Sequence, residues 1–256
     1  MTGAGQADAA LPALAIVGLG RMGRAVDELA TARGWPVRAR IGRGESVTPE
    51  RLNGAVVAVE FTTGSVAGAN IRACVAAGCA VVVGTTGWYD ALPGIRAEVE
   101  RGGGALLWAP NFSVGAVAMT AAAAGVAGAL RALGSFDAHL VETHHRAKID
   151  APSGTAIVMA AAVRAAMGRD VPVTSLRVGQ VPGEHEMIFD GPFEQVRLRH
   201  IVRDRRVFAD GALAATRWLV GRRGVFTMDD VLRDAGSAVG GGSGEDGRGA
   251  STGAGA

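Results

Sequence analysis

The sequence predicts an α/β protein of two parts, a parallel-sheet domain followed by an α+β domain built on a mixed sheet. Three observations carry that expectation. A glycine-rich turn, Gly18-Leu19-Gly20-Arg21-Met22-Gly23, stands between a short apolar run and a segment of helical spacing. Further apolar runs without alternation, at 55–61, 81–83 and 105–108, alternate with helical segments, as strands buried on both faces of a parallel sheet do. Beyond residue 174, three strand segments follow one another with no helix between them, which points to an antiparallel or mixed sheet.

Taken in order, residues 1–13 lack the basic and apolar segments of a signal peptide and read as a flexible small-residue extension. The dinucleotide-binding domain then spans 14–113. Leu14–Val17 is its first strand, and the glycine turn opens a helix through Arg33 whose first N–H groups would face a pyrophosphate. Glycine makes up 39 of the 256 residues, so such a turn also occurs for structural reasons. The second strand, 36–41, ends in Gly42-Arg43-Gly44 with no acid to bond a ribose. Arg43, with Arg40 nearby, is therefore offered to a 2′-phosphate, the alternative being ordinary exposed arginines.

After the strand at 55–61, Thr62–Ser65 caps a helix to about Ala77. The strands at 81–83 and 105–108 flank a helix near 92–101 and end in Gly84-Thr85-Thr86-Gly87 and Ala109-Pro110-Asn111-Phe112-Ser113. These small or amide-bearing loops share the carboxyl rim of the sheet, where α/β proteins hold ligands.

A second domain of different architecture is assigned to 114–221. An Ala-rich helix at about 115–132 is followed by an alternating strand at 136–142. Pro152 biases Ala151 away from helical dihedrals, so 144–151 is read as a loop, and Ser153 caps a helix from Gly154 to about Gly168. Strands at 175–181, 184–189 and 195–202 precede a helix from about Asp210. A short capped helical segment at 224–232 returns to the first domain, with 222–234 packing back on it. The tail, 235–256, is expected to be disordered, since 236–256 holds nine glycines and no periodic apolar pattern.

Composition excludes several classes. A net charge of +2 without basic runs gives no reason to expect nucleic acid. The longest apolar run, 114–130, is mostly Ala and Gly, too weakly hydrophobic to prefer lipid. Cys74 and Cys79 form neither a disulfide framework nor a zinc motif, so no metal is expected and the thiols are read as buried in a cytoplasmic protein.

The chemistry concentrates in Glu142-Thr143-His144-His145-Arg146-Ala147-Lys148-Ile149-Asp150-Ala151-Pro152-Ser153-Gly154-Thr155. Lys148 is the only lysine among 26 basic Lys and Arg residues. An ammonium can give up a proton, which a guanidinium in a protein does not. All five histidines lie between positions 139 and 200, two of them just before Lys148. Two histidines and a lysine beside a helix N-terminus fit proton donation to a substrate whose anionic group the helix end receives. A local hydrogen-bond network would use the histidines as well, but not a unique lysine.

That run resembles the signature of the 4-hydroxy-tetrahydrodipicolinate reductase (dihydrodipicolinate reductase) family, and the likeness extends over 14–233. It includes Gly20–Gly23, Glu60–Thr62, Gly84–Trp88, Ala109–Gly115, Gly183–His185 and Arg206-x-Phe208-Ala209-x-Gly211-Ala212. The resemblance implies a Rossmann-type domain, a mixed-sheet domain forming a homotetramer, and reduction of 4-hydroxy-tetrahydrodipicolinate with NADPH or NADH and net loss of water. It implies His144 and Lys148 as proton-handling residues, and His145, Gly154 and Thr155 as contacts to a small dicarboxylate. Gly20, Arg21, Met22, Gly23, Gly84, Thr85, Thr86, Ala109, Pro110, Asn111 and Phe112 match its cofactor contacts, and Gly18 and Arg43, taken from the reading of the residues above, join them on the cofactor side. Glu60 and Gly64 stand where members commonly carry Asp and Pro, and the first glycine of the turn falls one residue late. Another two-domain NAD(P)-dependent reductase of an amino-acid-derived substrate would explain the glycine turn but not the whole run at 142–155. A non-catalytic NAD(P)-binding sensor predicts erosion at His144 and Lys148, and both are present.

Overall fold

The computed structural model describes residues 10–240. The expectations for 1–9 and 241–256 lie outside the described residues. The first sheet takes β1 (Leu14–Val17), β2 (Val37–Ile41), β3 (Val57–Glu60), β4 (Ala80–Val83), β5 (Ala105–Trp108) and β10 (Gly224–Phe226). Their order is β10-β5-β4-β3-β1-β2, all parallel.

Both faces of this sheet are covered, which is why its strands read as continuous apolar runs. Leu14, Ile16, Val57, Val59, Val82 and Leu107 pack toward α1 (Arg21–Ala32) and α7 (Arg206–Leu219). The alternate residues, Ala15, Val17, Ala58, Val81, Val83 and Leu106, pack toward α3 (Gly64–Ala76) and α4 (Leu92–Gly102). The short α2 (Pro49–Leu52) closes the edge beside β2, and the core on this face includes the buried, unpaired Cys74 and Cys79.

The second sheet has β6 (Asp137–His144), β7 (Val173–Arg177), β8 (Glu184–Asp190) and β9 (Gln195–Ile201) in the order β7-β6-β8-β9. β6 and β7 are parallel and the other pairs antiparallel, so the sheet is mixed. Ala138, Leu140, Met187 and Phe189 pack against Met119, Ala123 and Ala127 of α5 (Val114–Arg131) and Met159, Ala160 and Val163 of α6 (Gly154–Met167). By length and apolar composition α5 passes for a membrane span. Here it lays its small-residue stripe against α6 and the sheet instead.

Several expectations are corrected. The helix expected from Asp210 starts at Arg206, and it belongs to the first sheet, so a boundary at 221 misplaces α7. The physical reason is size: Ala209, Gly211, Ala212 and Ala215 give α7 a flat face that approaches the sheet closely. Gly224–Phe226 is a strand at the edge beside β5 rather than part of a helix. The helix that follows, α8 (Met228–Gly240), is longer than expected and runs into the segment assigned to the tail. Its N-terminus is closed by Asp230, which accepts from the Thr227 N–H at 2.8 Å. Residues 10–13 are also ordered against the sheet, with Leu11 on the core and the Ala13 carbonyl accepting from Val56 and Val57.

Gly211 tests the close approach of α7. An added Cβ would sit 1.7 Å from the Phe112 carbonyl oxygen. Alanine normally favours a helix over glycine by about 1 kcal/mol, but a backbone clash of this kind outweighs that gain. Gly211→Ala is expected to lower stability by roughly 3 kcal/mol, read by denaturant unfolding; equal or greater stability would show that α7 does not pack so tightly.

Candidate active site

On the cofactor side, the glycine turn is built by close packing. Gly18 has φ +94°, and a Cβ there would lie 2.2 Å from the Phe61 carbonyl oxygen. A Cβ on Gly23 would lie 1.8 Å from the Gly18 carbonyl oxygen, so α1 begins directly under the turn. The N-cap is Gly20, no side chain among the described residues bonds this helix end, and its first turn holds no acid. The free N–H groups of Arg21, Met22 and Gly23 thus keep a cradle that fits a dinucleotide pyrophosphate. Thr85 gives its hydroxyl oxygen to the Thr62 N–H at 2.6 Å, tying neighbouring rim loops together. A Cβ on Gly84 would strike the Phe61 ring, and Phe112 is buried edge-on to the same ring. Gly18, Gly84 and the Phe112 side chain therefore shape the rim by packing.

On the substrate side, β6 alternates in burial, and its inward residues pass from Ala138 and Leu140 to Glu142 and His144. The same periodicity that builds the core therefore delivers a carboxylate and an imidazole at the strand's end. Glu142 is fully buried and its Oε2 bonds His144 Nδ1. Its Oε1 accepts from Arg177 Nη2 at 2.7 Å and from the Ser153 N–H at 3.4 Å. Arg177 Nη2 also reaches the Asp150 carbonyl oxygen at 2.6 Å. Lys148 Nζ bonds both Asp150 oxygens, at 2.7 and 2.8 Å.

Ser153 caps α6, its hydroxyl accepting from the Ala156 N–H at 3.2 Å. The first turn of α6 holds no acid. Asn111, from the loop after β5, donates to the Thr155 hydroxyl at 2.8 Å and so joins the cofactor-side loops to the α6 end. His145 Nε2 pairs with Arg205 Nη2 at 2.6 Å.

Behind His144 stand two more imidazoles. His185 meets it edge-on at 5.3 Å between ring centres, and His200 stacks on His185 at 6.2 Å. Their Nε2 atoms contact the hydroxyls of Ser153 and Ser113. Glu142, His144 and His185 offer ligand atoms within 4.8 Å of one another. Yet both oxygens of Glu142 already accept from His144 and Arg177, which favours proton chemistry over metal binding.

The electrostatics follow from these contacts. Burial alone would raise the Glu142 carboxyl, but hydrogen bonds from Arg177, Ser175 and His144 outweigh it and hold it at about 2. Burial lowers the His144 imidazolium; Glu142 opposes this, and the charges of Lys148 and Arg177 reinforce it, leaving it below its ordinary value. Burial, with the neighbouring His144 and His200, brings His185 down to about 4. Lys148 chiefly holds the Asp150 carboxyl low, and the Gly154 N–H contributes.

Known proteins agree with this layout. The model for the N-terminus of dihydrodipicolinate reductase matches residues 13–112, and that for its C-terminus matches 115–232. The chain belongs to the dihydrodipicolinate reductase family. A relative from Christiangramia forsetii, named 4-hydroxy-tetrahydrodipicolinate reductase, is 29% identical over 86% of this chain and 98% of its own length. One of the same name from Thiobacillus denitrificans is 34% identical over 86% and 97%. A dipicolinate-bound dihydrodipicolinate reductase from Paenisporosarcina sp. TG-14 shares the fold, with a TM-score of 0.69 at 20% identity over 85% of this chain and 98% of that one.

Within this member of the dihydrodipicolinate reductase family, His144, His145, Lys148, Gly154 and Thr155 come together around the end of β6 and the start of α6. Arg40, offered to a phosphate, is withdrawn, since Asp27 binds it through two hydrogen bonds of 2.7 Å. Arg43 stands exposed on the turn after β2. Sequence reasoning gave no role to Glu142 or Arg177. The spacing of Glu142 and His144 at i, i+2 on an alternating strand was a usable signal, whereas Arg177 reaches the site by pairing of β7 with β6, which nothing in the sequence marks.

The low His185 value has a consequence for stability. Its folded pKa lies below the unfolded one, so its contribution is fully present above about pH 6.5 and is lost as pH falls toward 4. The loss amounts to roughly 3 kcal/mol at most. Melting temperature followed from pH 7 to pH 4 should therefore fall more steeply for the wild type than for His185→Gln; parallel curves would mean that His185 is not held neutral.

Proposed function

We propose that the cleft between the glycine turn and the α6 end reduces 4-hydroxy-tetrahydrodipicolinate to tetrahydrodipicolinate with NAD(P)H and net loss of water, a step of diaminopimelate and lysine biosynthesis. The carrying observation is the assembly of a buried Glu142–His144 pair, the single lysine and an acid-free helix N-terminus on one loop, tied to the cofactor-side loops through Asn111 and Thr155. The family matches over nearly the whole chain support the same reading.

The dinucleotide is held on the loops carrying Gly20, Arg21, Met22 and Gly23, Arg43, Gly84, Thr85 and Thr86, and Ala109, Pro110 and Asn111. When bound, the reduced nicotinamide supplies a hydride to C4 of the dehydrated ring. The chain's own residues do the rest. Gly154 and Thr155 present N–H groups, and Thr155 its hydroxyl, to one substrate carboxylate, while His145 with Arg205 supplies charge nearby. Glu142 accepts the His144 Nδ1 proton, which leaves Nε2 as the atom that exchanges a proton with the substrate. Dehydration of the ring passes the proton of the carbon beside C4 to His144 Nε2, and His144 returns that proton to the anion left by hydride addition. Lys148 is the second proton donor, serving the departing hydroxyl, with Asp150 holding its ammonium in place between turnovers.

The face of the second sheet away from α5 and α6 is covered by no described helix and carries exposed Leu176 and Ile201. It suits the self-association of a homotetramer. Free buried thiols and a biosynthetic role fit a cytoplasmic setting.

The reading is tested by mixing the purified protein with freshly generated 4-hydroxy-tetrahydrodipicolinate and following NAD(P)H absorbance; absence of oxidation with either dinucleotide would overturn it. In the same assay Lys148→Arg keeps the charge but removes the donor, and kcat is expected to drop by roughly a hundredfold or more. Near-normal turnover would remove Lys148 from the proton chemistry.

A further inference from the structure

The turn after β2 holds an acid that the strand end lacks. Gly42-Arg43-Gly44-Glu45 closes on itself. The Gly42 carbonyl accepts from the Glu45 N–H at 3.3 Å, and Glu45 Oε2 accepts from the Gly42 N–H at 2.7 Å. Gly44 has φ +82°, the left-handed value that the third position of such a turn requires. The other carboxylate oxygen pairs with Arg51 Nη1 at 2.9 Å. The group is thus clamped from two sides, while the side chain stays 46% exposed and its remaining lone pairs stay available.

Its position is the informative part. A Cβ built on Gly42 would lie 3.3 Å from Glu45 Oε2 and 3.8 Å from Leu19 Cδ1. The Glu45 carboxylate therefore sits beside the space that a side chain at 42 would occupy, next to the glycine turn. An acid at that place bonds the ribose hydroxyls of a dinucleotide. Of the cations near it, Arg40 is committed to Asp27 and Arg51 to Glu45 itself. Arg43 is left, exposed, with no ion pair among the described residues.

We propose that Glu45 stands in for the missing strand-end acid, accepting from the adenosine ribose hydroxyls and setting a preference for NADH over NADPH. The proposal rests on the cofactor reading above. Hydrogen bonds from neutral hydroxyls to a carboxylate are among the stronger ones, whereas a 2′-phosphate in the same place meets a like charge.

The test is equilibrium binding of NADH and NADPH to the full-length protein without substrate, read by nicotinamide fluorescence. The wild type is expected to bind NADH roughly tenfold more tightly or better. Glu45→Gln, which keeps the Gly42 contact but removes the charge, should narrow that ratio about fivefold, with NADPH binding gained and NADH binding weakened. Glu50→Gln, which removes an exposed acid on α2 outside the site, should leave the ratio within about twofold. A ratio unmoved by Glu45→Gln overturns the proposal, and so does a wild-type preference for NADPH that Arg43→Ala removes. If neither dinucleotide binds, the cofactor reading falls first and takes the proposal with it; if both bind and only the ratio is insensitive, the reading stands and Glu45 is excluded.

Discussion

Everything on the substrate side depends on one carboxylate that has no access to water. A buried charge is costly unless each of its lone pairs finds a partner, and the partners of Glu142 include an imidazole, a guanidinium and a backbone N–H. Each partner belongs to a different part of the site. His144 is the group proposed to exchange a proton, Ser153 opens the helix proposed to receive an anion, and Arg177 holds the backbone of the loop that carries Lys148. Satisfying the carboxylate and assembling the site are therefore the same event. Removing a partner leaves part of a buried charge unsatisfied, so selection for folding and selection for chemistry act on one set of contacts.

The two domains are also coupled by direct side-chain contacts. Asn111 uses both ends of its amide, accepting from the Ser113 N–H at the start of α5 and donating to Thr155 at the start of α6. It sits at the carboxyl rim of the first sheet, where the chain crosses to the second. This side chain thus helps to set the separation between the proposed dinucleotide rim and the helix end proposed to receive an anion. That separation governs how a reductant and its acceptor meet.

How much of this was legible in the sequence differs by element. The parallel strands were readable because residues on both faces are apolar, and the glycine turn because only glycine tolerates the approaches made at positions 18 and 23. The Lys148 loop was readable from composition, since one amine among many guanidiniums needs a reason. α7 was assigned to the second domain, because a run of Ala and Gly fits either domain equally well. β10 was missed because its three residues gain their strand geometry only by adding to β5. Arg177 and Glu45 were out of reach for a different reason: both act through carboxylates or backbone brought close by folding, and neither pattern nor spacing distinguishes them from other charged residues. Residue 42 looked empty of acid because the acid arrives from three positions on.

The return of α7 and β10 to the first sheet bears on how the protein is made. A ribosome releases the chain from its N-terminus, and a nucleotide domain confined to the first half could fold while the second half was still being synthesised. Here part of the cover on one face of its sheet, and one of its edges, come from residues beyond 205, so that part stays exposed until nearly the whole chain has emerged. Contacts of such long sequence separation form slowly and leave apolar surface open in the meantime. The second domain is contained between these two halves and can close first, and its folding brings the late helix back to the sheet that awaits it.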